Sequence, residues 1–261
     1  MAIVTGKHVT GVLGPVTLKR YRKKQTMSIK AGKIKQTAAT KKCSDTFGKA
    51  NMLVQSIRER FSSQIRGFHD GKMYNRMNSA MSKIFYECRN TEGSDFTFMQ
   101  DSFENLADFD FNINSRLIDS LRKKPKVNLE GNVFTIAIDE LKIPAQLKFP
   151  ARSKFCKITM RLLLYRLKES LVIGLPEEQS LVITKDQTVL EAKEFRFKVP
   201  DGCLCVAGFF LDFYYTSGEF QVLLNNPAFS PGSIVGALIT PGGYREIDKR
   251  AWRAVIGLEW K

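Results

Sequence analysis

Carboxylates are scarce in the first third of this 261-residue chain: residues 1–90 hold only Asp45, Glu59, Asp70 and Glu87, against 19 Lys and Arg. The remainder balances at 22 residues of each sign, so the whole formal net charge of +15 belongs to the first third. A one-signed surface steers toward partners of the opposite sign. Histidine is scarcer still, with His8 and His69 the only two. A nucleophilic triad would have to use one of them, and neither lies in the stretch with the best-patterned core. The five cysteines (Cys43, Cys88, Cys156, Cys203, Cys205) are odd in number and scattered, which fits core thiols in a reducing compartment. Long apolar runs are missing too. The longest, CLCVAGFFL at 203–211, falls far short of the roughly 20 residues that span a bilayer. The opening MAIVTGKHVTGVLGP lacks the charged and apolar regions of a signal peptide, so the sequence reads as a soluble protein, cytoplasmic or virion-associated.

The motifs of catalysis and metal binding fail on spacing. Cys203 and Cys205 form a C-x-C pair with no second pair and no nearby His, so a zinc site lacks ligands and core thiols are favoured. Gly6, Gly11 and Gly14 show neither the dinucleotide-binding order nor a Lys-Ser/Thr after the last glycine, which rules out a phosphate loop. His69 beside Asp70 reads as a solvated turn residue. The downstream carboxylates alternate with basic residues and show no glycosidase-like pairing. No cofactor, metal or small-molecule substrate is indicated, and an enzyme is the least favoured class.

What is present is patterned. Apolar content of 43% and 26% charge belong to a folded chain long enough to bury its own core. Residues 1–36 are rich in Gly, Thr and Lys. Within them Val16, Leu18 and Tyr21 alternate with Thr17, Lys19 and Arg20, and a second short run follows at Met27–Ile29. A basic arm or β-hairpin is expected there. From Thr37 the period becomes helical, with Cys43, Phe47, Ala50, Val54, Ile57, Phe61 and Ile65 on one stripe, Thr37 or Thr40 as N-cap and Arg66-Gly67 as stop. After GFHDG a second stripe runs through Met73, Met77, Ala80 or Met81, Ile84 and Cys88, so residues 37–90 predict a basic antiparallel helical hairpin. Neither helix can bury its stripe alone. Each must pack on the other, on the downstream domain or on another chain.

Residues 91–125 form an acidic, Phe-rich connector. Its phenylalanines either pin it to a core, or the segment pairs with the basic helices. Residues 126–261 show seven or eight short strands with Gly/Pro punctuation. The last is expected to place Trp252, Ala254, Ile256, Leu258 and Trp260 on one face. The expected class is α+β: a basic arm or β-hairpin, an antiparallel helical hairpin, and an antiparallel β-sandwich of immunoglobulin-like or jelly-roll type.

Two functional readings follow. In the first, a structural or assembly protein docks its basic region on an acidic protein surface or on another copy of itself, using the stripe Phe47, Val54, Ile57, Phe61, Met73, Met77 and Ile84. In the second, a sequence-nonspecific nucleic-acid binder uses Lys19, Arg20, Arg22, Lys23, Lys24, Lys41, Lys42 and Lys49 against phosphates. The same cations serve as partner-binding residues in the first reading. The stretch GVLGPVTLKRYRKKQTMSIKAGKIKQTAATKKCSDTFGKANMLVQSIR, residues 11–58, resembles the start of uncharacterised Bacteroidota proteins. Those open with a Gly-rich segment and a basic hairpin and end in an immunoglobulin-like sandwich. Here Lys30 and Ala31 replace that family's Arg and Pro-containing turn. The resemblance implies a two-part architecture and transfers no site.

Overall fold

The computed structural model describes residues 2–21, 24–30, 32, 35–90, 95–243 and 251–258, and is an α+β protein made mostly of antiparallel sheets with few helices. It divides into two compact units, Met1–Cys43 and Ser44–Lys261. The first holds strands β1 (Ala2–Thr5), β2 (His8–Leu13), β3 (Val16–Tyr21) and β4 (Lys24–Ile29), paired in that order as one antiparallel sheet. A four-stranded sheet therefore stands where a single hairpin or an arm was expected. Gly6 and Gly14 supply the positive φ of its first two turns, at 60° and 57°. None of the described residues of β1–β4 is buried.

The second unit begins within helix α1 (Ala38–Arg60) and continues through α2 (Ser62–Ile65) and α3 (Met73–Glu87). Thr37 Oγ1 accepts the Thr40 backbone N–H at 3.1 Å, the hydrogen bond of an N-cap. Arg66 and Gly67 both take positive φ, at 50° and 74°, and stop the helical stretch where the sequence indicated. The helices run antiparallel. Near the end of α1, the Arg58 guanidinium lies 3.8 Å from the Tyr74 ring centroid at the start of α3. At the other end Arg89, just past α3, donates to Thr46 Oγ1.

Then follow β5 (Phe109–Asp110), α4 (Leu117–Ser120), β6 (Lys126–Glu130), β7 (Val133–Ile138), β8 (Leu141–Lys142), β9 (Phe155–Arg166), β10 (Leu171–Ile173) and β11 (Glu177–Thr184). Next come β12 (Val189–Leu190), β13 (Lys193–Lys198), β14 (Leu204–Ser217), β15 (Phe220–Leu223), β16 (Gly232–Ile239) and β17 (Trp252–Ala254). The large sheet runs β17-β10-β9-β14-β16-β5, with β11 also on β9 and β15 also on β14. A smaller sheet runs β13-β7-β6, and β12 pairs with β8.

Long strands β9 and β14 explain the layering, because both faces of each are apolar and alternate residues must find cover on opposite sides. Leu163, Tyr165, Leu204, Val206 and Phe210 share one core with Val54, Ile57, Phe61, Met73, Met77 and Ile84 of the helical hairpin. Met160, Leu162, Leu164, Ala207, Phe209 and Leu211 share the other with Phe134, Ile136, Ile138 and Phe197 of the smaller sheet. Gly208 lets the helical layer come close: a Cβ there would lie 2.7 Å from the Phe61 ring. The Phe-rich connector is pinned to the same core, with Phe103 and Phe111 buried and Phe96 and Phe98 packed around Phe85. Near the C-terminus the expected alternation breaks. Only Trp252–Ala254 pair, with β10; Gly257 then turns at φ 78°, so Val255 and Leu258 are buried while Ile256 is 90% exposed. Trp260 lies outside the described residues.

Candidate functional site

Residues 1–43 contain eleven Lys and Arg and no Asp or Glu. The register of β3 against β4 shows how the sheet displays them. Val16 stands opposite Ile29, Leu18 opposite Met27 and Arg20 opposite Gln25; between these lie Thr17 opposite Ser28, Lys19 opposite Thr26 and Tyr21 opposite Lys24. Successive residues of a strand point to opposite faces, so the hairpin has two unlike sides. One carries four aliphatic or thioether side chains with Arg20 and Gln25 at one end. The other carries hydroxyls, two lysines and a tyrosine.

On the apolar side Met27 and Ile29 are 72% and 85% exposed. Leu13, opposite Val16 across the β2–β3 ladder, extends that side and is also exposed. Gln25 is occupied: its amide accepts from Val9 N at 3.3 Å and donates to Val9 O at 2.5 Å. On the polar side Tyr21 is 65% exposed, and the Thr26 hydroxyl donates to Lys19 O at 3.0 Å. Tyr21 therefore falls with the lysines and Arg20 with the aliphatics, the reverse of the alternation expected from sequence. Strict strand parity was the signal that places both.

The other cations scatter. Arg22 and Lys23 lie outside the described residues. Lys41 and Lys42 are exposed on the first turns of α1. Lys49 is withdrawn from any surface role: it is buried, bonded to Asp45 at 3.0 Å and set over the Phe96 ring. The helix stripe is likewise spent. Val54, Ile57, Phe61, Met73, Met77 and Ile84 are all buried in the chain's own core, because the large sheet supplies the cover. Phe47 alone is exposed, and with Tyr86 it walls a shallow groove floored by Asn78 and Ser82.

Sequence reasoning passed over two carboxylates that organise the helical hairpin. Asp70 is buried and accepts hydrogen bonds from Arg76 and from the backbone N–H groups of Lys72 and Ile113. Burial alone would push its carboxyl up, but these bonds and the Arg76 charge together hold it below the ordinary carboxylate range. Asp212, in the middle of β14, receives both terminal nitrogens of Arg66, at 2.8 and 3.0 Å. His69 points its Nδ1 at Asp70 O, 3.0 Å away, beside the edge of Tyr74.

Cys156, Cys203 and Cys205 are buried, and burial pushes the Cys156 thiol far up, away from the reactive thiolate. Among the described residues, no group of three His, Cys, Asp or Glu is placed to hold a metal ion. No described helix is long and apolar enough to cross a membrane. The best-defined chemistry on the surface is the two-sided basic sheet. Comparison with family models, curated proteins and solved structures returns no match.

Proposed function

We propose that the protein is a non-enzymatic structural or assembly module, in which the N-terminal sheet docks on an acidic protein surface or on another copy of itself. One observation carries this reading. A row of exposed Leu13, Met27 and Ile29, continuous with Val16 and Leu18, lies within a segment of eleven cations and no carboxylate. Aliphatic surface in a segment whose charges all share one sign fits a protein partner, since aliphatic groups gain by apolar cover and cations by nearby carboxylates. We read the stacked sheets of the second unit as the rigid body that the module carries, a sandwich of the immunoglobulin-like or jelly-roll kind. The alternating burial of β7 and its core shared with β9 and β14 support that reading. A component of a phage particle or a cell-surface assembly would use such a layout, an analogy at the level of fold.

Sedimentation velocity over a wide concentration range, with and without poly-glutamate, tests the docking. The full chain is expected to self-associate or to bind the polyanion, and the double substitution Leu18→Asn, Met27→Asn is expected to weaken whichever occurs. A strict monomer that ignores poly-glutamate would remove the reading.

A further inference from the structure

The hairpin's second side goes beyond the docking reading and does not depend on it. We propose that the face formed by Thr17, Lys19 and Tyr21 of β3 and Ser28, Thr26 and Lys24 of β4 binds the backbone of a single-stranded nucleic acid without regard to sequence. The six residues are three cross-strand pairs, every one polar and none acidic. On one face of a strand side chains recur about every 7 Å, and direct cross-strand neighbours stand about 5 Å apart. Lys19, Lys24 and the hydroxyls of Thr17 and Ser28 at that spacing make a path of donors that a phosphate chain can follow, while the Thr26 hydroxyl is held by Lys19 O.

Three features suit this face to the phosphates of a nucleic acid. First, the cations on this face are lysines, which meet phosphates as point charges. Arg20, whose planar fork matches carboxylate and phosphate alike, is turned to the apolar side. Second, hydroxyls of Thr17, Ser28 and Tyr21 accompany the lysines, and hydroxyl donors to phosphate oxygens fix a nucleic acid's path without reading its bases. Third, Tyr21 stands directly opposite Lys24 and is 65% exposed, which presents an aromatic ring for a base beside a cation for its phosphate. No acidic residue of the first 43 opposes them.

Fluorescence anisotropy of the full chain with a labelled random-sequence oligonucleotide, between about 50 and 200 mM salt, tests the assignment. Lys19→Gln and Arg20→Gln remove the same charge from opposite faces of one strand, so each controls for the other. The double variant Lys19→Gln, Lys24→Gln is expected to lower the slope of log affinity against log salt by about 1.4, at about 0.7 per lost phosphate contact. Arg20→Gln and the apolar-side pair Leu18→Asn, Met27→Asn are expected to leave the slope unchanged. Tyr21→Leu should weaken binding at least about fivefold with the slope retained.

Any of four results would overturn the proposal. They are no binding at the lowest salt, an Arg20→Gln effect equal to that of Lys19→Gln, displacement by poly-glutamate as effective as by unlabelled oligonucleotide at matched charge, or binding to duplex alone. Circular dichroism on each variant separates loss of the face from loss of the sheet. Because the apolar-side variants act in the docking test and not in this one, either idea can fail while the other stands.

Discussion

Arg66 and Asp212 are 146 residues apart and join the helical layer to the large sheet by two hydrogen bonds. The pair is unequal: the Arg66 side chain is 31% exposed and that of Asp212 only 6%. Each geometry is fixed by something local. Arg66 takes left-handed backbone as the residue that stops the helical stretch, while Asp212 is flanked in β14 by the Asn225 side chain, which bonds Phe213 N and Leu211 O. The hydrogen bonds it donates to Asp212 raise the Arg66 guanidinium above its ordinary value, against the opposing effect of its own burial. Removing either partner should therefore cost different amounts. Arg66→Met strands a buried carboxylate and should destabilise by about 3 kcal/mol. Asp212→Asn leaves a guanidinium that reaches water and should cost about 1–2 kcal/mol. Urea unfolding of the two variants checks the order, and equal small losses would mean that the pair contributes little.

At the scale of elements, Asp70 in the turn between α2 and α3 and Asp110 in β5 have opposite pH behaviour. Asp70 sits below the ordinary carboxylate range, so its contribution is present above the unfolded value near about 4 and is lost as pH falls through the lower folded value. Asp110 is pushed up by burial, against the hydrogen bond it accepts from Leu117 N. Its folded form prefers the proton, so stability is gained as pH falls through its raised value. A shallow maximum is expected between the two, followed by an acid limb. Asp70→Asn should flatten the acid limb, and Asp110→Asn should remove the rise before it, both read from melting temperature against pH. Identical profiles for wild type and Asp70→Asn would exclude Asp70 as the acid-sensitive joint. The helices themselves were legible, because stripes at three- and four-residue steps and a Thr cap depend on neighbours in sequence. Both aspartates were not. Asp70 is only a turn carboxylate until Ile113, 43 positions away, turns its N–H toward it, and Asp212 is only one carboxylate until Arg66 arrives. Tyr21 and Arg20 were misplaced for a different reason: a greasy ring was grouped with aliphatics, and strand parity overruled it.

The whole molecule combines a body whose 30 basic and 26 acidic residues nearly balance with a cationic sheet, and the two differ in what holds them together. The first buried residue of one apolar core is Ala50 and that of the other Leu117, and no residue of β1–β4 is buried. A small sheet with no buried residue gains little from apolar burial, and its stability depends on what covers its apolar face. The core of the second unit, by contrast, is closed from within by the helices on one face of the large sheet and the smaller sheet on the other. A chain of residues 37–261 should then unfold cooperatively in urea with a midpoint close to that of the full protein, while losing the oligonucleotide affinity and the self-association. In the full chain the sheet should exchange its amide protons far faster than β9 and β14, and a bound partner should slow that exchange. Hydrogen exchange with and without oligonucleotide reads both. Slow exchange throughout β1–β4 in the free protein would show that the sheet already has its cover, and the search for an occupant of the apolar face would have to turn inward.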